Sequence, residues 1–172
     1  MKKLNFLSLI LILIAFSACQ NSNSLKDRIA KQEEQLYESN SQGQPDEELM
    51  NRLAENYIKY ATEKPEDSLA PEYLFKAADI SMNIGEAESA QKQLDKILKN
   101  YPDYEKTAEV TFLKGYIYEN YQGELSKAKT FYEAFLNNYP DHEFADDVQM
   151  SLKHLGKSPE ELVKQFEKRS SE

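Results

Sequence analysis

From Leu25 onward, apolar residues recur three and four positions apart, and glycine or proline interrupts the pattern at regular intervals. That spacing places them on one face of an α-helix. Leu25, Ile29, Leu36 and Tyr37 predict a helix over 25–39, broken by "NSQGQP". Leu49, Leu53, Tyr57 and Tyr60 predict a second over 46–62, which Pro65 closes. A third over 70–83 carries Leu74, Ala77, Ala78 and Met82 and ends at Gly85. A fourth, 86–100, places Ala90, Leu94, Ile97 and Leu98 together, and a Tyr-Pro pair stops it, because proline cannot continue a helix and restricts the residue before it. The same alternation gives helices over 108–121 and 124–138, with the turn at Gly123 and with Ala128, Phe131, Tyr132 and Phe135 on one face. A seventh helix over 144–155 stops at Gly156. An eighth starts on a capping box, with Ser158 at the N-cap, Pro159 behind it and Glu161 at the third position. Leu162, Val163 and Phe166 form its apolar side.

Two of these stretches are nearly the same text. "NYPDYEKTAEV" begins at Asn100 and "NYPDHEFADDV" at Asn138, an offset of 38. Carried backwards, the offset pairs Ile97 with Phe135, Leu94 with Tyr132, Ala90 with Ala128 and Gly85 with Gly123. In the preceding helices it pairs Ala77 with Gly115, Leu74 with Phe112 and Ala70 with Ala108. A helical hairpin cannot bury its apolar face alone, and a second copy supplies the matching surface. The pattern therefore predicts an all-α solenoid of helical hairpins: repeats at about 25–65, 70–102 and 108–140, and a C-terminal cap over 144–168. The cap covers the apolar end that an open array would expose.

The spacing Gly-x4-Ala-x3-[Leu/Tyr]-x2-[Ile/Phe]-x4-Pro holds at Gly85/Ala90/Leu94/Ile97/Pro102 and at Gly123/Ala128/Tyr132/Phe135/Pro140. It resembles the second half of a tetratricopeptide repeat. The period of 38 exceeds that family's 34, and the small residue of the first helices, Ala77 or Gly115, falls one place further from the turn than usual. In that family the first helices line a concave groove. The resemblance implies that Ala78, Met82, Tyr116, Glu119 and Asn120 face a bound partner. Tyr116 reads equally as an ordinary core residue.

The first 18 residues have the anatomy of a signal peptide: Lys2 and Lys3, an apolar run over 4–16, then small residues ending at Cys19. The run is shorter than the roughly 20 residues that span a bilayer. "FSAC" resembles the lipobox of bacterial lipoproteins, with Phe16 where leucine is commonest. The resemblance implies a covalent lipid on Cys19 as the first mature residue. An ordinary secretory signal cut after Ala18 is the alternative. Residues 19–24 would form a short polar tether, reaching about 17 Å at full extension. Gln20 is not the aspartate that retains enteric lipoproteins at the inner membrane. By resemblance, the outer membrane and its periplasmic face are the expected site.

Composition changes little in this picture. Charged residues make up 30% of the chain and the net charge is −9, with no basic stripe of the kind nucleic acid requires. The single cysteine leaves no partner for an intramolecular disulfide. His142, in "DHE", is the nearest approach to a metal fragment, but "DYE" occupies the same place at 103–105. Acid pairs such as Asp146-Asp147 sit in first turns, where they compensate the helix dipole. No catalytic constellation emerges, and neither a cofactor nor a small-molecule substrate is expected. The chain resembles small tetratricopeptide lipoproteins of Bacteroidota type. At repeat level alone it is similar to the lipoprotein subunit of the β-barrel assembly machinery. Both imply a non-enzymatic scaffold holding a protein or peptide partner in the cell envelope. A periplasmic ligand-binding or metal-dependent helical protein with an acidic pocket is the other reading kept.

Overall fold

The computed structural model describes residues 24–41, 43, 46–158, 160, 161, 163 and 164. The expected leader, Cys19 and the tether up to Asn23 lie outside the described residues, as do Pro159, Leu162 and the C-terminal segment from 165 onward, Phe166 included. Seven helices are bounded among those described: α1 (Leu25–Ser41), α2 (Glu47–Glu63), α3 (Leu69–Asn83), α4 (Ala87–Asn100), α5 (Thr107–Asn120), α6 (Leu125–Asn138) and α7 (Ala145–His154). Each lies within two residues of its predicted span, and no strand occurs among the described residues. The described residues up to Gly43 fall in one compact unit and those from Asp46 in another. Both helices expected for 25–65 form, one in each unit.

In the first unit, Ser24 and Asp27 start α1 reciprocally. The Asp27 amide donates to Ser24 Oγ at 3.1 Å, and the Ser24 amide donates to the Asp27 carboxylate at 3.0 Å. Ile29 is its buried residue.

In the second unit, helices pack chiefly on their neighbours in sequence, the arrangement of a quasi-one-dimensional array. Asp46 caps α2, accepting from the Leu49 amide at 2.9 Å. The chain leaves α2 at Lys64, immediately before Pro65. Pro71 lies in the first turn of α3, where its missing N–H costs no helical bond. Gly85 and Gly123 carry positive φ, +80° and +66°, at the hairpin turns, a conformation that costs glycine little. Ala70, Leu74 and Ala78 of α3 pack against Ala90, Leu94 and Ile97 of α4, and Val110 and Ile117 of α5 close that cluster. A second cluster gathers Ala108, Ala128, Tyr132, Phe135 and Val148 from α5, α6 and α7. α5 contributes to both clusters, which explains why its apolar and small residues occupy more than one face.

After α7 the chain turns at Gly156 (φ +71°). The capping box that follows is formed: the Ser158 amide donates to the Glu161 carboxylate at 2.8 Å, and the Glu161 amide donates to Ser158 Oγ at 3.3 Å. Val163, expected on an apolar side, is 55% exposed.

Candidate partner-binding site

The site is set by how the two hairpins superimpose. Their second helices keep the offset of 38, because Leu94 and Tyr132 are both fully buried, as are Ile97 and Phe135. Their first helices do not. Three residues, 84–86, join α3 to α4, whereas four, 121–124, join α5 to α6. At the first turn the Glu86 amide donates to the Ser81 carbonyl at 2.7 Å; at the second, the Glu124 amide donates to the Tyr118 carbonyl at 2.8 Å. The donors are 38 apart and the acceptors 37. The extra residue is absorbed in the second turn, and α5 registers on α3 at 37.

Burial agrees with that register. Pro71, Tyr73, Leu74, Ala77, Ala78 and Ile80 are buried, and so are the residues 37 further on: Ala108, Val110, Thr111, Lys114, Gly115 and Ile117. The expected pairing of Ala77 with Gly115 is therefore corrected to Ala78 with Gly115. Ala78 faces the Leu94 cluster, and Gly115 faces the larger Tyr132, whose ring leaves no room for a Cβ. Lys114 then occupies the buried position that Ala77 fills in the first hairpin. It is 3% exposed. Its ammonium pairs with Asp95 and stands 4.9 Å over the Phe131 ring and 5.7 Å over Tyr118.

The joints between hairpins are also built alike. Glu72, in the first turn of α3, accepts from the Tyr104 hydroxyl at 2.6 Å and from the Lys106 ammonium at 2.9 Å. Burial would raise the Glu72 carboxyl, but these two bonds and the charges of Lys106 and Lys76 together outweigh it and hold it below the usual carboxylate value. Burial and then the same bond push the Tyr104 hydroxyl well above the ordinary phenol range. One hairpin later, His142 Nε2 lies 3.9 Å from the Glu109 carboxylate. His142 Nδ1 accepts from the Phe144 amide at 3.2 Å, so "DHE" forms a joint as "DYE" does. Among the described residues, no three His, Cys, Asp or Glu side chains converge to hold a metal. A shallow hollow of about 720 Å³ lies over the first joint, lined by Leu69, Pro71, Tyr101 and Tyr104 among others.

The two hairpins coincide with a known repeat. Residues 72–104 and 109–142 match the tetratricopeptide repeat. The matches begin 37 apart, at Glu72 and Glu109, and end 38 apart, at Tyr104 and His142, which is the register the contacts give. They span less than half of the chain. No curated protein matches the sequence. The described fold is an all-α, tetratricopeptide-type array of helical hairpins, and the excess period lies in the joints between the repeats.

Within this frame the five residues expected to line a groove separate. Ala78 is fully buried and offers no surface to a partner. Met82 is partly buried beside the first core cluster. Tyr116 is 38% exposed. Glu119 is partly exposed and accepts from the Tyr132 hydroxyl at 2.8 Å, and Asn120 is exposed and donates to the Tyr116 carbonyl at 3.0 Å. At the 37 register, Tyr116 matches Asp79, Glu119 matches Met82, and Asn120 matches Asn83. The structure thus adds Asp79 and Asn83, together with the matched pair Phe75 and Phe112, to the first-helix face. The 38 offset hid them by setting Tyr116 opposite Ala78. The bonds at the two turns reveal what the sequence spacing could not.

Proposed function

We propose that the chain is a lipid-anchored interaction scaffold whose first-helix face takes up a segment of a partner protein. The observation that carries this is the pair of tetratricopeptide matches, with Tyr116 exposed at a first-helix position of the second repeat. Repeats of this kind generally mediate protein contacts, and tyrosine gives contact area at low entropic cost. The lipobox-like "FSAC" supports an anchor at Cys19, where acyl chains would hold the chain to a membrane at about 0.8 kcal/mol per buried methylene. Gln20 favours the outer membrane, the uncharged "QNSNS" after Cys19 favours its periplasmic face, and an accessory part in envelope assembly follows by resemblance. No described helix is long and apolar enough to cross a membrane.

Two measurements test the two halves of this reading. Growth with an alkyne-labelled palmitate should label the chain, and Cys19→Ser should abolish labelling and release the protein from membranes. Label on Cys19→Ser, or none on the native chain, ends the anchor reading. Tyr116→Ala combined with Glu119→Lys should abolish partner capture with helical content unchanged, and capture that survives both changes ends the groove reading.

A further inference from the structure

Of the acids on the first-helix face, Glu72 has Lys106 and Lys76 to lower its carboxyl, whereas burial is what acts on Asp79. α3 has one basic residue, Lys76, and its ammonium stands over the rings of Tyr57 and Tyr73 at 5.6 and 5.9 Å. α5 has one, Lys114, buried against Phe131 and Asp95. On the acid side, Glu72 is held by Lys106 from the joint, and Glu119 is bound by a neutral hydroxyl. The Asp79 carboxylate has the Asn83 amide at 3.5 Å. Burial pushes its carboxyl up, and no neighbouring cation offsets the effect.

An aromatic run lies beside this acid. The Tyr121 hydroxyl reaches the Met82 carbonyl at 3.5 Å, one turn along α3 from Asp79. The Tyr121 ring is 6.2 Å from Tyr116, Tyr116 is 6.4 Å from Phe112, and Phe112 is 6.1 Å from Phe144. Tyr121 and Tyr116 are both exposed. An exposed carboxylate close to a run of aromatic side chains that includes the exposed Tyr121 and Tyr116 suits a Lys or Arg side chain with apolar neighbours, since rings attract cations through their quadrupole. The chain's net charge of −9 steers basic partners towards it.

We propose that the segment taken up by this face is basic, with a Lys or Arg side chain on Asp79 and flanking apolar residues along Tyr121 and Tyr116. The proposal rests on the partner-binding reading of the first-helix face given above and names the chemistry of the partner.

The test selects a display library of random 12-residue peptides on the full chain in detergent micelles, and repeats the selection on Asp79→Lys, Asp79→Asn and Tyr116→Ala. Lys and Arg should be enriched over Asp and Glu by about fivefold or more on the native chain. That preference should fall on Asp79→Asn and invert on Asp79→Lys. Circular dichroism confirms folding, and the isosteric Asp79→Asn keeps the comparison if Asp79→Lys does not fold. Equal Lys and Arg enrichment on the native chain and both Asp79 variants overturns the proposal. Acidic or neutral peptides that lose binding on Tyr116→Ala overturn it too, while the groove reading stands. Peptides indifferent to Tyr116→Ala, or no selected peptides at all, overturn both.

Discussion

Gly115→Ala should destabilise the protein, although alanine is the better helix former. Gly115 lies inside α5, where glycine-to-alanine replacement ordinarily gains about 1 kcal/mol. A Cβ there would stand 2.5 and 2.6 Å from Cε1 and Cδ1 of Tyr132. The ring has little room to withdraw. It is fully buried, it packs 6.0 Å from Phe112, and its hydroxyl is fixed to Glu119. Overpacking costs about 1–3 kcal/mol. Loss of a hydrogen bond to a carboxylate adds about 1.5 kcal/mol, the lower end being apt because Glu119 is partly exposed. After the helix gain is subtracted, the net loss is about 1.5–3.5 kcal/mol. Urea denaturation reads it directly, and in thermal melts it corresponds to about 2–4 °C per kcal/mol for a chain of this size. Tyr132→Leu added to Gly115→Ala recreates the Ala78/Leu94 pair of the first repeat. The double variant should recover about 1–2 kcal/mol relative to the sum of the single changes. Native or raised stability for Gly115→Ala, or strict additivity in the double variant, would refute both the packing argument and the 37 register beneath it.

Two further outcomes follow from the same contacts. Lys114 acts mainly through its stem, so Lys114→Met should stay within about 1 kcal/mol of native, while Lys114→Ala should lose about 2 kcal/mol through the cavity it leaves; chemical denaturation separates them, and equal losses would contradict the reasoning. The Glu72 carboxyl is held below its unfolded value, so its contribution is complete above about pH 4.3 and is lost as pH falls through the lower folded value. Lys106→Met should therefore move acid unfolding to higher pH, and an unchanged acid midpoint would count against the joint.

The helices themselves were legible because their punctuation is local. Tyr-Pro after α4 and α6 and glycine at the hairpin turns mark ends that no tertiary contact needs to decide. The register of the first helices was not legible for a physical reason. Ala77 and Ala78 are both small, so either can be set against Gly115, and only contact with Leu94 or Tyr132 chooses between them. One residue added to a turn leaves the apolar spacing on each side intact. Lys114 escaped notice because a lysine at helical spacing reads as solvated, although this one is buried with its ammonium over the Phe131 and Tyr118 rings. Asp79 went with it, since its role depends on the corrected register. The aromatic run, in turn, joins residues of α5, the second turn and the last joint that sequence spacing alone does not bring together.

The central claim is that the face carrying Tyr116, rather than the outer face of the second helices, meets the partner. A photo-crosslinking amino acid placed in living cells at position 116, and separately at the exposed Lys129 of α6, tests it most directly. The account predicts one discrete protein adduct from position 116, weakened by Asp79→Lys, and none from position 129. Equal adducts from both positions, or an adduct from 129 alone, would contradict it.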